Sequence, residues 1–180
     1  ISGASGGTLT VNKVGSLSNP KVGQNNAQLT EFKLTTATEA GTVKRMRWLN
    51  GGTVKDADIS NIVVKLLDGT QVATGTMNGN SYLDLDFGAG YKIIKGDNRV
   101  FQVFGNLAGK KDETIKLYLE LNADTLAVGD QYGFGMAITD DDLDVVGDAH
   151  SLTLQGGDLT LAFGGPTATN IGTDTSDTHF

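Results

Sequence analysis

The chain has no cysteine, so neither a disulfide nor a thiolate-held metal can staple it, and stability must come from core packing, sheet hydrogen bonds or oxygen-bound ions. Proline is nearly absent, with two in 180 residues, and Trp48 is the single tryptophan. No apolar run approaches the length of a membrane-spanning helix, and no basic segment followed by an apolar stretch opens the chain. The chain begins at Ile1 and is therefore expected to be a soluble, mature or excised segment. Bases are missing from its last 64 residues. All 14 Lys and Arg lie between Lys13 and Lys116, where they face 10 acids, while the remainder carries 11 acids. A net charge of −7 makes nucleic acid a poor partner. The asymmetry fits a solvated acidic surface, ends that attract opposite ends of a neighbour, or a region that gathers cations.

Catalytic side chains are equally sparse. The two histidines, His150 and His179, sit in no nucleophile motif and read as exposed polar residues at strand edges. Asp84 and Asp86 alternate with Leu83, Leu85 and Phe87, as on the wet face of a strand, and nothing local sets two carboxylates across a cleft. Gly51-Gly52 and Gly164-Gly165 lead into no helix and lack the Lys-Ser/Thr of a phosphate loop. The expectation is a chain with no catalytic residues that requires no cofactor, calcium being the one ion considered.

What the chain has is alternation of period two. Leu83, Leu85 and Phe87 form one such row, and Ile115, Leu117, Leu119 and Leu121 another. Less regular strand patterns cover Thr8 to Val14, Gln28 to Thr36, Thr42 to Leu49, Asn61 to Leu67, Arg99 to Gly105, Tyr132 to Ile138, Ser151 to Leu154 and Asp158 to Phe163. Asn50-Gly51-Gly52, Asp68-Gly69, Asn78-Gly79 and Gly96-Asp97-Asn98 supply turns, with Asp68-Gly69 read as a type I′ hairpin. Asp124 to Val128 reads as a single helical turn before Gly129. Many short strands without helices predict an all-β fold, an antiparallel two-sheet β-sandwich of immunoglobulin-like type. Phe32, Leu34, Trp48, Ile62, Val64, Leu66, Leu83, Leu85, Leu117, Leu119 and Leu154 are the expected interior.

Two charged clusters stand out. Thr139 to Asp148 reads TDDDLDVVGD, in which Asp140, Asp142 and Asp144 have the alternate spacing by which a turning loop offers carboxylates to calcium. Val145 stands where an EF-hand loop needs Gly, and Ser151 where it needs Glu. Two readings therefore stand side by side: a solvated acidic loop, or a sandwich-loop calcium site with Asp148 and Asp130 as further ligands. Lys44, Arg45 and Arg47 lie on a strand beside Met46 and Trp48, either as a plain exposed face or as a surface for an anion, a sugar or a neighbour's acidic tail.

The chain also closes with an echo of its opening. Gly6 to Val11 reads GGTLTV, and Gly156 to Leu161 reads GGDLTL, a spacing of one domain. Residues 1–155 are expected to form a sandwich domain. Residues 156–180 are expected to be a terminal strand and tail, either donated to a neighbour or opening a further repeat. Leu9 and Val11, or Leu159, Leu161 and Phe163, would be the contacting rows of such a strand.

The run of motifs from Gly6 to Val103 resembles a repeat found in large surface proteins of uncultivated bacteria. It consists of Gly6 to Val11, Asn19 to Gly23, Leu29 to Glu39, Asp58 to Gly69 and Ile94 to Val103. The resemblance implies a β-sandwich repeat of a surface layer, adhesin stalk or extracellular fibre, without catalytic residues. The expected function is a structural subunit at the cell surface or outside the cell. Its partners would be itself or adjacent repeats of the same polypeptide, with no membrane insertion. The rival expectation is a carbohydrate-binding or adhesive module with Trp48, Tyr82 or Tyr91 as a sugar platform.

Overall fold

The computed structural model describes residues 6–140 and 142–156. Alternation sorts the strands into inward and outward rows, as the sequence requires. Twelve strands form among the described residues: β1 (Thr8–Lys13), β2 (Ala27–Ala37), β3 (Gly41–Asn50), β4 (Ile59–Leu66), β5 (Gln71–Met77), β6 (Tyr82–Ile93), β7 (Asn98–Leu107), β8 (Thr114–Ile115), β9 (Leu117–Tyr118), β10 (Thr125–Gly129), β11 (Ala137–Asp140) and β12 (Leu152–Thr153). The helical pieces among the described residues are two 3₁₀ turns, Asp56–Asp58 and Asn122–Asp124.

Hydrogen bonding links most strands into one path, β10-β3-β6-β5-β4-β7-β2-β1-β11, with β9 also on β3 and a separate β12-β8 pair. The path is curled. Phe32 on β2 and Trp48 on β3 stand five strand steps apart, about 24 Å on a flat sheet, yet their ring centroids are 4.9 Å apart. Phe101 on β7 likewise meets Phe87 and Tyr91 of β6 edge-on, at 5.9 and 5.2 Å. The molecule is thus an all-β sandwich, with β10-β3-β6-β5 facing β4-β7-β2-β1-β11. The strands pair antiparallel except β1 and β11, which run parallel.

Phe32, Leu34, Trp48, Ile62, Val64, Leu83, Leu85, Leu117, Leu119 and Leu154 are buried as expected, and Leu66 is partly buried against them. Each fully buried large apolar side chain contributes about 1.5–3 kcal/mol to holding the layers together.

Four local readings need correction. The β4–β5 hairpin is not type I′: Gly69 has φ 86°, but Asp68 is not in the left-handed region. Gly69 N donates to Leu66 O, Leu66 N donates to Thr70 O, and Asp68 Oδ1 accepts from Thr70 N. That is a three-residue loop with glycine at its left-handed position. Asp124 to Val128 is not a helical turn. Thr125 to Gly129 form β10, because pairing with β3 overrides local propensity. The run Tyr132 to Ile138 becomes strand only at Ala137, since Gly133 at φ 71° turns the chain first. The row Ile115 to Leu121 breaks into β8 and β9, which pair with β12 and β3 respectively.

The registers place the tips of the molecule. The 38–40, 67–70, 94–97 and 130–136 connections all lie at one end, called here the hairpin end. The 14–26, 50–58, 78–81, 107–114 and 142–156 segments gather toward the other.

Candidate assembly surface

The outward face of β3 and β6 carries the basic cluster, and the register decides its character. Arg47 stands opposite Asp84, and Arg45 opposite Asp86. Arg47 Nε pairs with Asp84 Oδ1 at 2.6 Å, and this bond with the adjacent carboxylate raises the Arg47 pKa further. Lys44 Nζ donates to the Ala89 carbonyl. Arg45 is exposed and makes no ion pair among the described residues. The face is therefore a ladder of mixed charge rather than a basic patch. Opposite charges facing across strands add a few tenths of a kcal/mol each.

The residues named for a sugar platform are committed elsewhere. Trp48 is fully buried against Phe32. Tyr91 packs edge-on against Phe101. Tyr82 donates its hydroxyl to Glu120, which holds its pKa above the ordinary phenol value, and its ring lies under the Arg47 guanidinium.

In the acidic segment the carboxylates of Asp140 and Asp142 serve the backbone. Asp140 Oδ1 accepts from the N–H groups of Asp142 and Leu143, at 3.2 and 2.8 Å, which tightens the chain after β11. Asp142 Oδ1 accepts from Lys13 N at 2.7 Å, tying the segment to the end of β1. Lys13 Nζ reaches the Asp148 carbonyl, not its carboxylate. Burial raises the Asp140 pKa to about 6, against the lowering effect of its two N–H donors, and the neighbouring Asp144 and Asp142 add to the rise. Asp130 is not with them. It lies at the hairpin end, paired with Lys92 at 2.5 Å and accepting from Thr42 Oγ1. Among the described residues no group of three His, Asp or Glu is placed to hold a metal ion. His150 is not a free edge residue either: its Nε2 sits 3.0 Å from Val14 O and 3.3 Å from Glu31 O.

Leu9 and Val11 are fully buried in the chain's own core, on a strand paired on both sides by β2 and β11. That leaves β1 no free edge. Leu159, Leu161 and Phe163, the strand from Asp158 to Phe163, and His179 lie outside the described residues.

The surface that sequence reasoning missed is at the hairpin end. Phe134 is 74% exposed, Leu67 67%, Ile94 59% and Tyr132 45%. Each projects from a connection: Leu67 from the β4–β5 loop, Ile94 from the β6–β7 turn, and Tyr132 and Phe134 from the β10–β11 loop. A signal was present, since each adjoins a turn sequence: Leu67-Asp68-Gly69, Ile94-Lys95-Gly96 and Tyr132-Gly133-Phe134-Gly135. These loops are held firmly. Thr36 Oγ1 donates to Ile94 O, and Asp130 N and Gln131 N donate to Ala40 O and Glu39 Oε2. At the other end Val145 and Val146 are exposed, Val146 lying against Gly51.

No family model matches the chain, and no curated protein matches it. Among solved structures, a non-cellulosomal cohesin from the archaeon Archaeoglobus fulgidus is similar at 13% identity and TM-score 0.44, over 84% of this chain and 92% of that one. The seventh ScaB type I cohesin from Pseudobacteroides cellulosolvens is similar at 9% identity and TM-score 0.45, over 86% and 96%. No residue role is carried over from either. No helix among the described residues is long and apolar enough to cross a membrane.

Proposed function

We propose that the chain is a structural subunit of an extracellular filament or surface layer, joined end to end with further copies of itself. The supporting observation is the placement of Leu67, Ile94, Tyr132 and Phe134 on anchored loops at one end, with Val145 and Val146 exposed at the other. A single exposed apolar residue needs no explanation, but several on neighbouring rigid tips mark a contact surface. An apolar end meeting the unlike end of the next copy gives a head-to-tail contact, which propagates when its rotation does not close a ring. The occupied positions of Trp48, Tyr82 and Tyr91 favour this reading over a sugar-binding platform.

The test is a double substitution, Ile94→Asp with Phe134→Asp, examined by electron microscopy and sedimentation. Expected is loss of ordered assemblies while the melting curve stays close to the parent's, because exposed substitutions change stability by about 0.5 kcal/mol or less. Unaltered filaments or layers from the double variant would overturn the proposal. Glycan binding by the parent that Tyr132→Ala abolishes would favour the adhesive reading instead.

A further inference from the structure

The chain has two Asn-Gly pairs, Asn50-Gly51 and Asn78-Gly79, and the fold treats them oppositely. An asparagine followed by glycine can close on itself, because the glycine nitrogen, unshielded by a Cβ, lies within reach of the asparagine side-chain carbonyl carbon. Closure needs a glycine N–H free to lose its proton, an amide free to turn onto it, and water at both.

Asn50 is denied all of these. It is 4% exposed, its Nδ2 donates to Val54 O at 3.2 Å, and its Oδ1 accepts from Gly52 N and Lys116 N at 3.0 and 3.1 Å. Gly51 N, the nitrogen that would attack, donates to Lys116 O at 2.9 Å. Both reacting groups are thus tied to other partners, and the Asn50 amide is out of reach of water.

Asn78 is under none of these restraints. It sits with Gly79 and Asn80 at the exposed tip of the β5–β6 hairpin. Gly79 N makes no hydrogen bond among the described residues, and nothing lies within 4 Å of the place a Cβ would take. The contact of Asn78 Nδ2 is a long one, 3.4 Å to Asp84 Oδ2. Asn78 Oδ1 accepts from Asn80 N at 3.0 Å, a donor placed to meet the negative charge that gathers on this oxygen when Cγ is attacked. Asn80, its neighbour, is restrained again, because Ser81 N donates to Asp56 Oδ2 at 2.8 Å.

We infer that Asn78 is a modification site, at which the folded chain converts asparagine to aspartate and isoaspartate in water without an enzyme. Gly79 N gives its proton to a solvent base and bonds to Asn78 Cγ. The Cγ–Nδ2 bond breaks, and ammonia leaves with a proton from water. A second water opens the cyclic imide at either carbonyl, giving aspartate or isoaspartate.

The products change the hairpin. A carboxylate at position 78 faces Asp84, where like charges oppose each other and compete for Arg47, the partner of Asp84. Isoaspartate also carries the main chain through its side-chain carbon, adding a methylene just after the N–H that donates to Tyr82 O at 2.9 Å. The far side of the turn is held by Asp56 and by Asn50 N, which donates to Ser81 O at 2.7 Å, so the strain falls on the tip. This inference is independent of the end-to-end contact.

The test ages the full-length chain in mildly alkaline buffer at physiological temperature, folded and in concentrated denaturant, and follows tryptic peptides 48–55 and 66–92 by mass spectrometry. Expected in the folded chain is the amide-to-acid mass shift in peptide 66–92, located at Asn78 by fragmentation and split into two eluting products, with peptide 48–55 unshifted. In denaturant both peptides are expected to shift. Retention of the Asn78 amide in the folded chain over the time in which the denatured chain loses it would overturn the inference, and so would loss at Asn50 in step with Asn78. An Asn78→Gln chain, whose longer side chain does not close the same ring, is expected to keep peptide 66–92 unshifted. An equal shift in that variant would place the reaction at another residue and overturn the assignment to Asn78.

Discussion

The curled sheet meets itself along two seams that differ: β10 and the approach to β11 are bridged by Met136 N on Ala127 O and by Val128 with Gly135, whereas the β4–β5 ladder stops at Ile62 opposite Gly75. Where β10 and β11 meet, closure rests on Glu39, 4% exposed, whose Oε1 accepts from Gly7 N at 3.0 Å and whose Oε2 accepts from Gln131 N at 2.7 Å. One carboxylate thereby satisfies two backbone donors from opposite sides of the join. Thr38, beside it, takes φ 72°, an orientation that costs a β-branched residue about 1–2 kcal/mol and is held only because the surroundings require it. The glycines there are spacers. A Cβ on Gly129 would lie 2.4 Å from the Glu39 carboxylate, and one on Gly41 2.1 Å from Met136 Sδ. At the β4–β5 seam no comparable polar clamp joins Ser60 and Asn61 to Thr76 and Met77 among the described residues. Apolar alternation brings two layers together, but joining their edges needs groups that satisfy the backbone.

The comparison can be broken most completely at what both seams share. Trp48→Ala removes the ring that packs across the layers against Phe32, and a loss of about 3–5 kcal/mol is expected. That is a large share of a typical domain's total stability. Denaturant unfolding checks it, and a loss below about 1 kcal/mol would show that the two layers do not depend on this contact.

Glu39→Ala should act on the closed seam alone. Leaving the buried Gly7 N–H and the part-buried Gln131 N–H without their acceptor costs about 1–3 kcal/mol. Hydrogen exchange should show lost protection at Gly7 and Gln131 while Ile62 and Gly75 on the other side keep theirs. Glu39→Gln, which preserves one acceptor oxygen, should cost less than Glu39→Ala. Equal losses for the two variants would remove the carboxylate from its role.

The smallest effect is a dependence on pH near the closed seam, at the end of β11. Asp140 has its pKa raised by burial to about 6, above the ordinary carboxylate value of about 3.9. Between these values the folded chain holds the proton that the unfolded chain has lost. This group's contribution to folding is therefore fully present below about pH 4, is lost as pH rises through about 6, and is level above that. Asp130 has the opposite sign: its bond with Lys92 lowers its pKa, so its contribution is lost as pH falls. Asp140→Asn should raise the melting temperature at pH 7 and flatten the slope between pH 4 and 6. Melting curves over that range decide it, and an unchanged slope would mean that Asp140 titrates as an ordinary surface acid. Calcium sharpens the same test. If the ion is held by Asp140, Asp142, Asp144 and Asp148, adding it raises the melting temperature and a chelator lowers it. No response leaves the loop solvated.

The strands and the interior were legible because period-two alternation is a local property: Leu83, Leu85 and Phe87 must share a face wherever β6 ends up. The same holds for the burial of Trp48, which shares its row with Met46. Local patterns could not give partners. Arg45 and Arg47 read as basic and Asp84 and Asp86 as acidic until register set them opposite each other, and register is a relation between strands distant in the chain. Thr125 to Gly129 read as a helical turn until β3 supplied an edge to pair with. Tyr132 and Phe134 passed as strand residues until Gly133 turned them outward at the hairpin end. The sequence by itself determined that this is an all-β chain with a given set of inward side chains, because alternation is written residue by residue. The curl of the sheet, the clamp at Glu39 and the end of the β4–β5 ladder at Ile62 were decided only by tertiary structure, because each depends on which backbone edges meet in space.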